Sequence, residues 1–405
     1  MPPCRKNRTG TDMKTHGCLY AALASLPVLL TASCSTIVPV EVREAVSPSS
    51  GLRHPGILQS KAMLDAMKRD LEQRHELRTA AWEDMLKHPR GKIGWGGDPW
   101  KAPKEIFGPD NLHFKTAAAI ANSYALQWIV TGDISKAEKA IKMINHWSST
   151  MKSIRPKPGD ENLHTRLIMG IHSGYWAQAG ELLRCSGAPW PEEEQVQFKE
   201  WLRNVILPAM EPRPNTYNGN WDAACTWSTL AVAVFLDDRE LFDANIEYLK
   251  SGDTNARLTH YLLPSGQCQE TGRDQDHAQM GLDFLARACE IAWNQGIDLY
   301  DFEDVSIGTC VEYLARYNLG DDNVPFEVYP SPVGEGNAHD KATEPSAKKR
   351  GEYRPLYELV YHHYHDRKKL PMPYTKQVLE KTRIENPGYF CDYWNTLCFA
   401  DLKEG

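Results

Sequence analysis

Residues 115–147 read KTAAAIANSYALQWIVTGDISKAEKAIKMINHW, two apolar patterns of helical spacing separated by the short turn Thr-Gly-Asp. Ile120, Tyr124 and Trp128 recur four apart on one face, and Ala137, Ile141, Ile144 and Trp147 form a second face beyond the turn. Helices joined so tightly must fold back as antiparallel neighbours. The arrangement recurs in WSTLAVAVFLDDRELFDANIEYL (227–249), again around 164–206 and 283–317, and a last helical stretch spans 357–367. Strand signals are scarce, and the one Asn-Gly pair in YNGNW lies between a helix exit and a helix entrance. The expected class is all-α. The hairpins share geometry but not residues, which favours an (α/α) toroid or incomplete barrel over a consensus-repeat solenoid. Such a barrel gathers inner-helix N-termini and their loops around one cleft.

Composition narrows the partners. The chain has 405 residues, 41% hydrophobic and 24% charged, with a formal net charge of −7. That suits a globular protein, argues against general nucleic-acid binding, and leaves room for an anionic ligand at a local basic patch. Residues 1–34 read as an export signal, because MKTHGCLYAALASLPVLLTASC carries a lysine, an apolar run and small residues before Cys34. Met13 opens that signal and is a candidate true start. TASC resembles a lipobox, so the expectation is a lipid anchor at Cys34 in the periplasm or on the outer membrane, with simple secretion as the alternative. No transmembrane segment is expected in the mature chain. Residues 35–52 are expected to form an exposed leader, and 53–405 the toroid. Seven of ten cysteines follow Cys34, with Cys391 and Cys398 the favoured pair. No CxxC or HExxH points to a metal, and no cofactor is expected.

Two segments carry chemistry. In NTYNGNWDAAC (215–225) a helix begins, with Asn218 or Asn220 available as its cap, yet Tyr217 and three asparagines crowd a turn that needs one capping oxygen. In QCQETGRDQDHAQMGL (267–282) Gly272 permits a sharp turn and Asp274 can cap the next helix. Arg273 then leaves the turn while His277 lies on the first helical turn, with Asp274 or Asp276 to orient its ring. Histidine suits proton transfer near neutrality. Glu270 and Gln275 share this helix mouth. Two long loops, 91–114 with Trp95, Trp100 and His113, and 331–355, are long enough to be functional. The aromatics of the first suggest a platform for substrate.

Together NGNWDAA, QETGRDQDHAQMGL, AWNQGIDLY and YALQWIVTGD resemble the alginate lyase-like polysaccharide lyases with an (α/α) toroid, over roughly residues 53–370. The resemblance implies β-elimination on a uronate-containing polysaccharide of alginate or glucuronan type. It maps Asn220 to neutralisation of the substrate carboxylate, Arg273 to its clamp and His277 to proton transfer. Tyr217, Asn218, Trp221, Glu270, Gln275, Trp95, Trp100 and His113 are the expected substrate contacts. Two departures stand out. The best-known alginate lyases carry Asn-Asn-His at this helix start, whereas Trp221 follows Asn220 here. In them a tyrosine follows the arginine within two helical turns, but none follows Arg273 before Tyr300. His277, or one of Tyr217, Tyr313, Tyr353 and Tyr361, would then be the acid.

Two other readings compete. An (α/α)-barrel glycoside hydrolase would need paired carboxylates, with Asp222 and Glu270 or Asp276 as candidates. A non-catalytic glycan-binding lipoprotein would stack sugars on Trp95, Trp100, Trp221 and Trp227.

Overall fold

The computed structural model describes residues 40–88, 97–107, 112–155, 164–213, 219–333, 338–384 and 394–400. The export signal with Cys34, the candidate contacts Trp95, Tyr217 and Asn218, and Cys391 of the expected disulfide lie outside the described residues. Residues 37–405 form one compact unit.

Helices follow one another in pairs. Helix α1 (Lys61–Glu72) is followed by α2 (Glu76–Lys87), and α3 (Leu112–Thr131) by α4 (Ile134–Thr150). Helix α5 (His164–Cys185) leads into α6 (Glu192–Trp201), which continues through a π turn to α7 (Leu207–Ala209). Next come α8 (Gly219–Leu236), α9 (Arg239–Ser251), the single-turn α10 (Leu258–Tyr261), α11 (Gln275–Asn294) and α12 (Ile307–Asn318). The chain closes with α13 (Leu356–Tyr361), α14 (Pro373–Thr382) and α15 (Asn395–Phe399). Strands among the described residues are two or three residues long, and one pair, Glu105–Phe107 with Ser153–Arg155, is parallel.

Helices α3, α5, α8 and α11 pack side by side as an inner layer, with α4, α6, α9 and α12 outside. The difference follows from composition. Helices α3 and α8 are rich in alanine and buried on nearly every side, so their backbones approach closely. A Cβ on Gly170 of α5 would lie 2.6 Å from the Cys225 amide nitrogen of α8. Ser228 bridges the same seam, donating to the Gly170 carbonyl at 2.6 Å and accepting from the Gly174 amide at 2.7 Å. Residues equally deep in α5 and α8 therefore face each other, and the inner helices run parallel. Outer helices instead bury one stripe, as Ala137, Ile141, Ile144 and Trp147 do on α4.

The aspartate-bearing turns have a local cause. Gly132 (φ +66°) and Asp237 (φ +58°) take left-handed conformations, and the aspartate that follows caps the outgoing helix. Asp133 accepts from the Ser135 amide at 3.0 Å, and Asp238 from the Leu241 amide at 3.0 Å.

The leader departs from expectation. Val42, Ser50 and Leu52 are buried, so 35–52 is not an exposed segment throughout. Its anchor is His54, whose Nδ1 lies 2.8 Å from Glu181 Oε1 and whose Nε2 lies 2.8 Å from Asp237 Oδ1. The Ile57 and Leu58 amides continue the attachment, donating to Glu181 and Gln178 of α5. Among the described residues no helix is long and apolar enough to cross a membrane.

Candidate active site

Because the inner helices are parallel, their N-termini collect at one rim. His164 at the start of α5 stacks on Trp221 of α8, with ring centroids 5.6 Å apart. The Gly219 amide donates to Gln269 Oε1 at 2.8 Å, tying the start of α8 to the turn before α11. Helix N-termini present unpaired amides and positive potential, which favours an anion at this rim.

The entrance to α11 is built around Asp274. It caps the helix by accepting from the His277 amide at 2.8 Å, and the same carboxylate holds His277 Nδ1 at 2.8 and 2.9 Å. Burial would raise the Asp274 carboxyl. Hydrogen bonds from the His277 ring and amide, the His277 charge and Lys348 outweigh it and hold the group well below the usual range. With Nδ1 engaged, the imidazole directs Nε2 away from the cap, and its side chain is 28% exposed. Asp276, the other candidate partner, instead binds Arg354 at 2.7 Å. Arg273 Nη1 lies 3.2 Å from Glu270 Oε2, and its side chain remains 26% exposed while Glu270 is fully buried. Glu270 thus orients the guanidinium from behind.

Asn220 is not the helix cap. Helix α8 starts at Gly219, and Asn220 lies inside its first turn, fully buried. Among the described residues neither Nδ2 nor Oδ1 of Asn220 has a hydrogen-bond partner. The Tyr261 hydroxyl is likewise buried and unpartnered. Both meet at Gly281 of α11, where an added Cβ would stand 1.8 Å from Tyr261 Oη and 3.1 Å from Asn220 Cβ. Burial, then the neighbouring Cys268, Glu270 and Tyr329, push the Tyr261 phenol well above its ordinary range, while Arg273 opposes them. Buried polar groups are nearly always paired, so two orphans in one notch mark a place prepared for something polar.

Tyr261 was not among the tyrosines the sequence suggested, because it lies in a short helix outside the two segments that carry the motif residues. The available signal was Gly281, a glycine inside a helix, which costs about 1 kcal/mol relative to alanine and so implies close approach by a neighbour. Tyr217 lies outside the described residues, and the other three tyrosines considered are engaged elsewhere. Tyr313 donates to the Pro325 carbonyl at 2.7 Å, Tyr353 to the Asn318 carbonyl at 3.1 Å, and Tyr361 stacks on His365.

The 331–355 loop is stitched to the same entrance. Ser346 N donates to the Thr271 carbonyl, Gln275 N to the Lys348 carbonyl and Gln279 Nε2 to the Glu352 carbonyl. Lys348 reaches Asp274 at 3.3 Å. Gln275 is buried and engaged on both sides, its Nε2 with the Ser346 carbonyl and its Oε1 with Asn318. It organises the loop and presents no free amide to the mouth. His113 Nδ1 accepts from the Asp98 amide at 2.9 Å, and Trp100 packs outside the inner layer, on α4.

The paired-carboxylate reading loses a member. Asp222 is fully buried and receives the Tyr248 hydroxyl at 2.9 Å, the Thr254 hydroxyl at 2.6 Å and the Ala256 amide at 3.1 Å, as a structural brace for the turn after α9. Trp227 is buried too, so it offers no sugar platform. Among the described residues no group of three or more His, Cys, Asp or Glu side chains could hold a metal ion.

Comparison with known proteins agrees with this architecture. The fold is similar to an alginate lyase from Bacteroides ovatus, with TM-score 0.58 and 15% identity over 86% of this chain and 99% of that one. It is similar to alginate lyase A1-III from Sphingomonas species A1, with TM-score 0.57 and 14% identity over 86% and 99%. A histidine-to-alanine variant of that enzyme complexed with tetrasaccharide matches with TM-score 0.57 and 13% identity over 87% and 99%. At these identities the likeness is one of fold. No curated protein matches by sequence. Residues 101–326, more than half of the chain, match the alginate lyase sequence family, and the protein belongs to that family.

Proposed function

We propose that this polysaccharide lyase cleaves a uronate-containing polymer by β-elimination at the rim of α8 and α11. The observation that carries the reading is the pair of buried, unpartnered groups on Asn220 and Tyr261, beside a guanidinium already oriented by Glu270. Removing the C5 proton of a uronate pushes charge onto its C6 carboxylate. Donors aimed at that carboxylate offset the cost, and a single well-placed donor is worth about 3 kcal/mol of barrier. Asn220 offers a neutral amide and Arg273 a planar two-pronged cation.

His277, fixed through Nδ1 by Asp274, takes the C5 proton on Nε2. The C5–H electron pair becomes the C4–C5 double bond as the C4–O4 bond breaks. The departing O4 takes a proton from Tyr261, which its surroundings keep protonated. No water is consumed. Because Asn220 and Tyr261 are buried, substrate reaches them only when the surrounding chain moves.

The test is ultraviolet absorbance of the unsaturated uronate, run beside a reducing-end assay over a screen of alginate and glucuronan. New reducing ends without the absorbance would identify a hydrolase, and neither signal on any uronan would overturn the reading. Arg273→Lys separates clamp from scaffold. It keeps the charge but not the fork, and activity should fall roughly 100-fold with the thermal midpoint held. Near-normal turnover in that variant would remove Arg273 from the site.

A further inference from the structure

Of the tryptophans among the described residues, Trp100 alone is exposed, at 43%. It is nonetheless held firmly in place. The Trp100 carbonyl lies 2.8 Å from His146 Nε2, and the preceding Pro99 carbonyl accepts from Trp147 Nε1 at 2.7 Å. The His146 ring packs against the indole at 5.8 Å, and Lys142 Nζ lies 5.5 Å from its centre. One helical turn back, Lys139 and Lys136 stand 5.4 and 5.8 Å from the ring of Tyr124. Helix α4 carries these three lysines against a single acid, Glu138. Beside them a groove of about 570 Å³ runs between α4 and the segment Pro189–Gln197. Its Glu194 carboxylate is bound by Asn145 of α4. Asp133 at the α4 cap faces Lys136 and Lys139, and Glu138 and Glu194 line the groove, so the cation set beside the exposed indole itself is Lys142.

We propose that Trp100, Lys139, Lys142 and His146 form a second polysaccharide site, on the outer layer and separate from the α8–α11 mouth. A fixed, exposed indole offers a flat apolar face for the C–H side of a sugar ring, and cations alongside select rings bearing carboxylates. The ligand class is therefore a polyuronate and not a neutral glycan. The assignment of that class rests on the proposed lyase reading, but the site binds without chemistry. Helix α4 runs antiparallel to α3, so its C-terminal half, which carries His146, approaches the catalytic rim. Polymer held there raises the local concentration of its own neighbouring residues at the mouth.

Affinity electrophoresis through gels containing alginate or glucuronan tests this directly, using full-length protein in an Asn220→Ala background so that the polymer stays intact. Trp100→Ala and the double variant Lys139→Glu/Lys142→Glu should each weaken retardation about five- to tenfold, whereas Trp100→Phe keeps most of it. Gels containing dextran should retard none of them. In the active protein the same changes should raise KM for polymer by a similar factor, leaving kcat on polymer and all constants on a trisaccharide unchanged. Undiminished retardation in both Trp100→Ala and the double lysine variant overturns the site. So does equal retardation by dextran, or an equal loss on the trisaccharide. If no uronan is cleaved yet retardation depends on these residues, the lyase reading fails and the site stands.

Discussion

One carboxylate performs two tasks at the start of α11: Asp274 caps the helix through the His277 amide and holds the His277 ring through Nδ1, both at 2.8 Å. The two tasks are separable by substitution. Asp274→Asn keeps a capping oxygen, since asparagine caps about as well as aspartate, but it gives up the charge that orients and stabilises the ring. Turnover should drop roughly 10- to 100-fold, with a lower thermal midpoint because the contacts that hold the Asp274 carboxyl low also stabilise the fold, and His277→Ala should lose at least as much activity. A variant Asp274→Asn with full activity would show that the contact serves only the helix.

Asn220 makes a sharper case, because the folded protein gains nothing visible from its carboxamide. Removing two buried, unpartnered atoms should not harm the fold, as an orphaned polar group costs about 1–3 kcal/mol. Asn220→Ala is expected to unfold at the same temperature as the parent or higher, while kcat/KM falls roughly 100- to 1000-fold. Calorimetry on the purified variant, set against the absorbance assay, decides it. A large loss of stability would mean that the amide braces the helix.

The notch at Gly281 can be filled deliberately. Gly281→Ala forces its methyl into the Tyr261 hydroxyl and should cost about 1–3 kcal/mol, as overpacking does. Tyr261→Phe should fold normally and turn over poorly. In the double variant part of the stability should return, since the hydroxyl contact is gone while the ring carbon Cζ still stands 2.5 Å from the methyl, and activity should not; a double-mutant cycle reads this coupling directly. Independent, additive losses would show that the two residues do not share the space.

The leader clamp predicts how stability depends on pH. Burial by itself would lower the His54 pKa, but hydrogen bonds to Asp237 and Glu181 raise it from 6.5 to about 9. A group raised in the folded state contributes its full stability below the unfolded value and loses it as pH climbs through the folded one. Between pH 6.5 and about 9 the protein should therefore lose on the order of 2 kcal/mol from this site. His54→Gln should start less stable at pH 6 and show a flatter alkaline slope in thermal melts. An unchanged slope would place the titration elsewhere.

Local chemistry was readable in the chain, and long-range pairing was not. Helical phase gave the α3–α4 and α8–α9 hairpins, and Asp274 could be named as the α11 cap from Gly272 and the apolar run beyond. Choosing between Asp274 and Asp276 as partner of His277 needed Arg354, which takes Asp276 from far along the chain. Gln275 looked like a ligand group because it is polar and at the mouth, yet Ser346 and Asn318 engage both ends of its amide. Asn220 looked like a cap because it precedes an apolar run, but the helix had already begun at Gly219. Tyr261 reaches the site only through the packing of its short helix against α11, which Gly281 alone hinted at.

The inner helices bury nearly all of their residues, α8 all but one of its eighteen. A barrel filled in this way is a plug and not a tube. The packed helices leave the proposed mouth at the rim where they begin, and on the proposed reading polymer approaches it from that side.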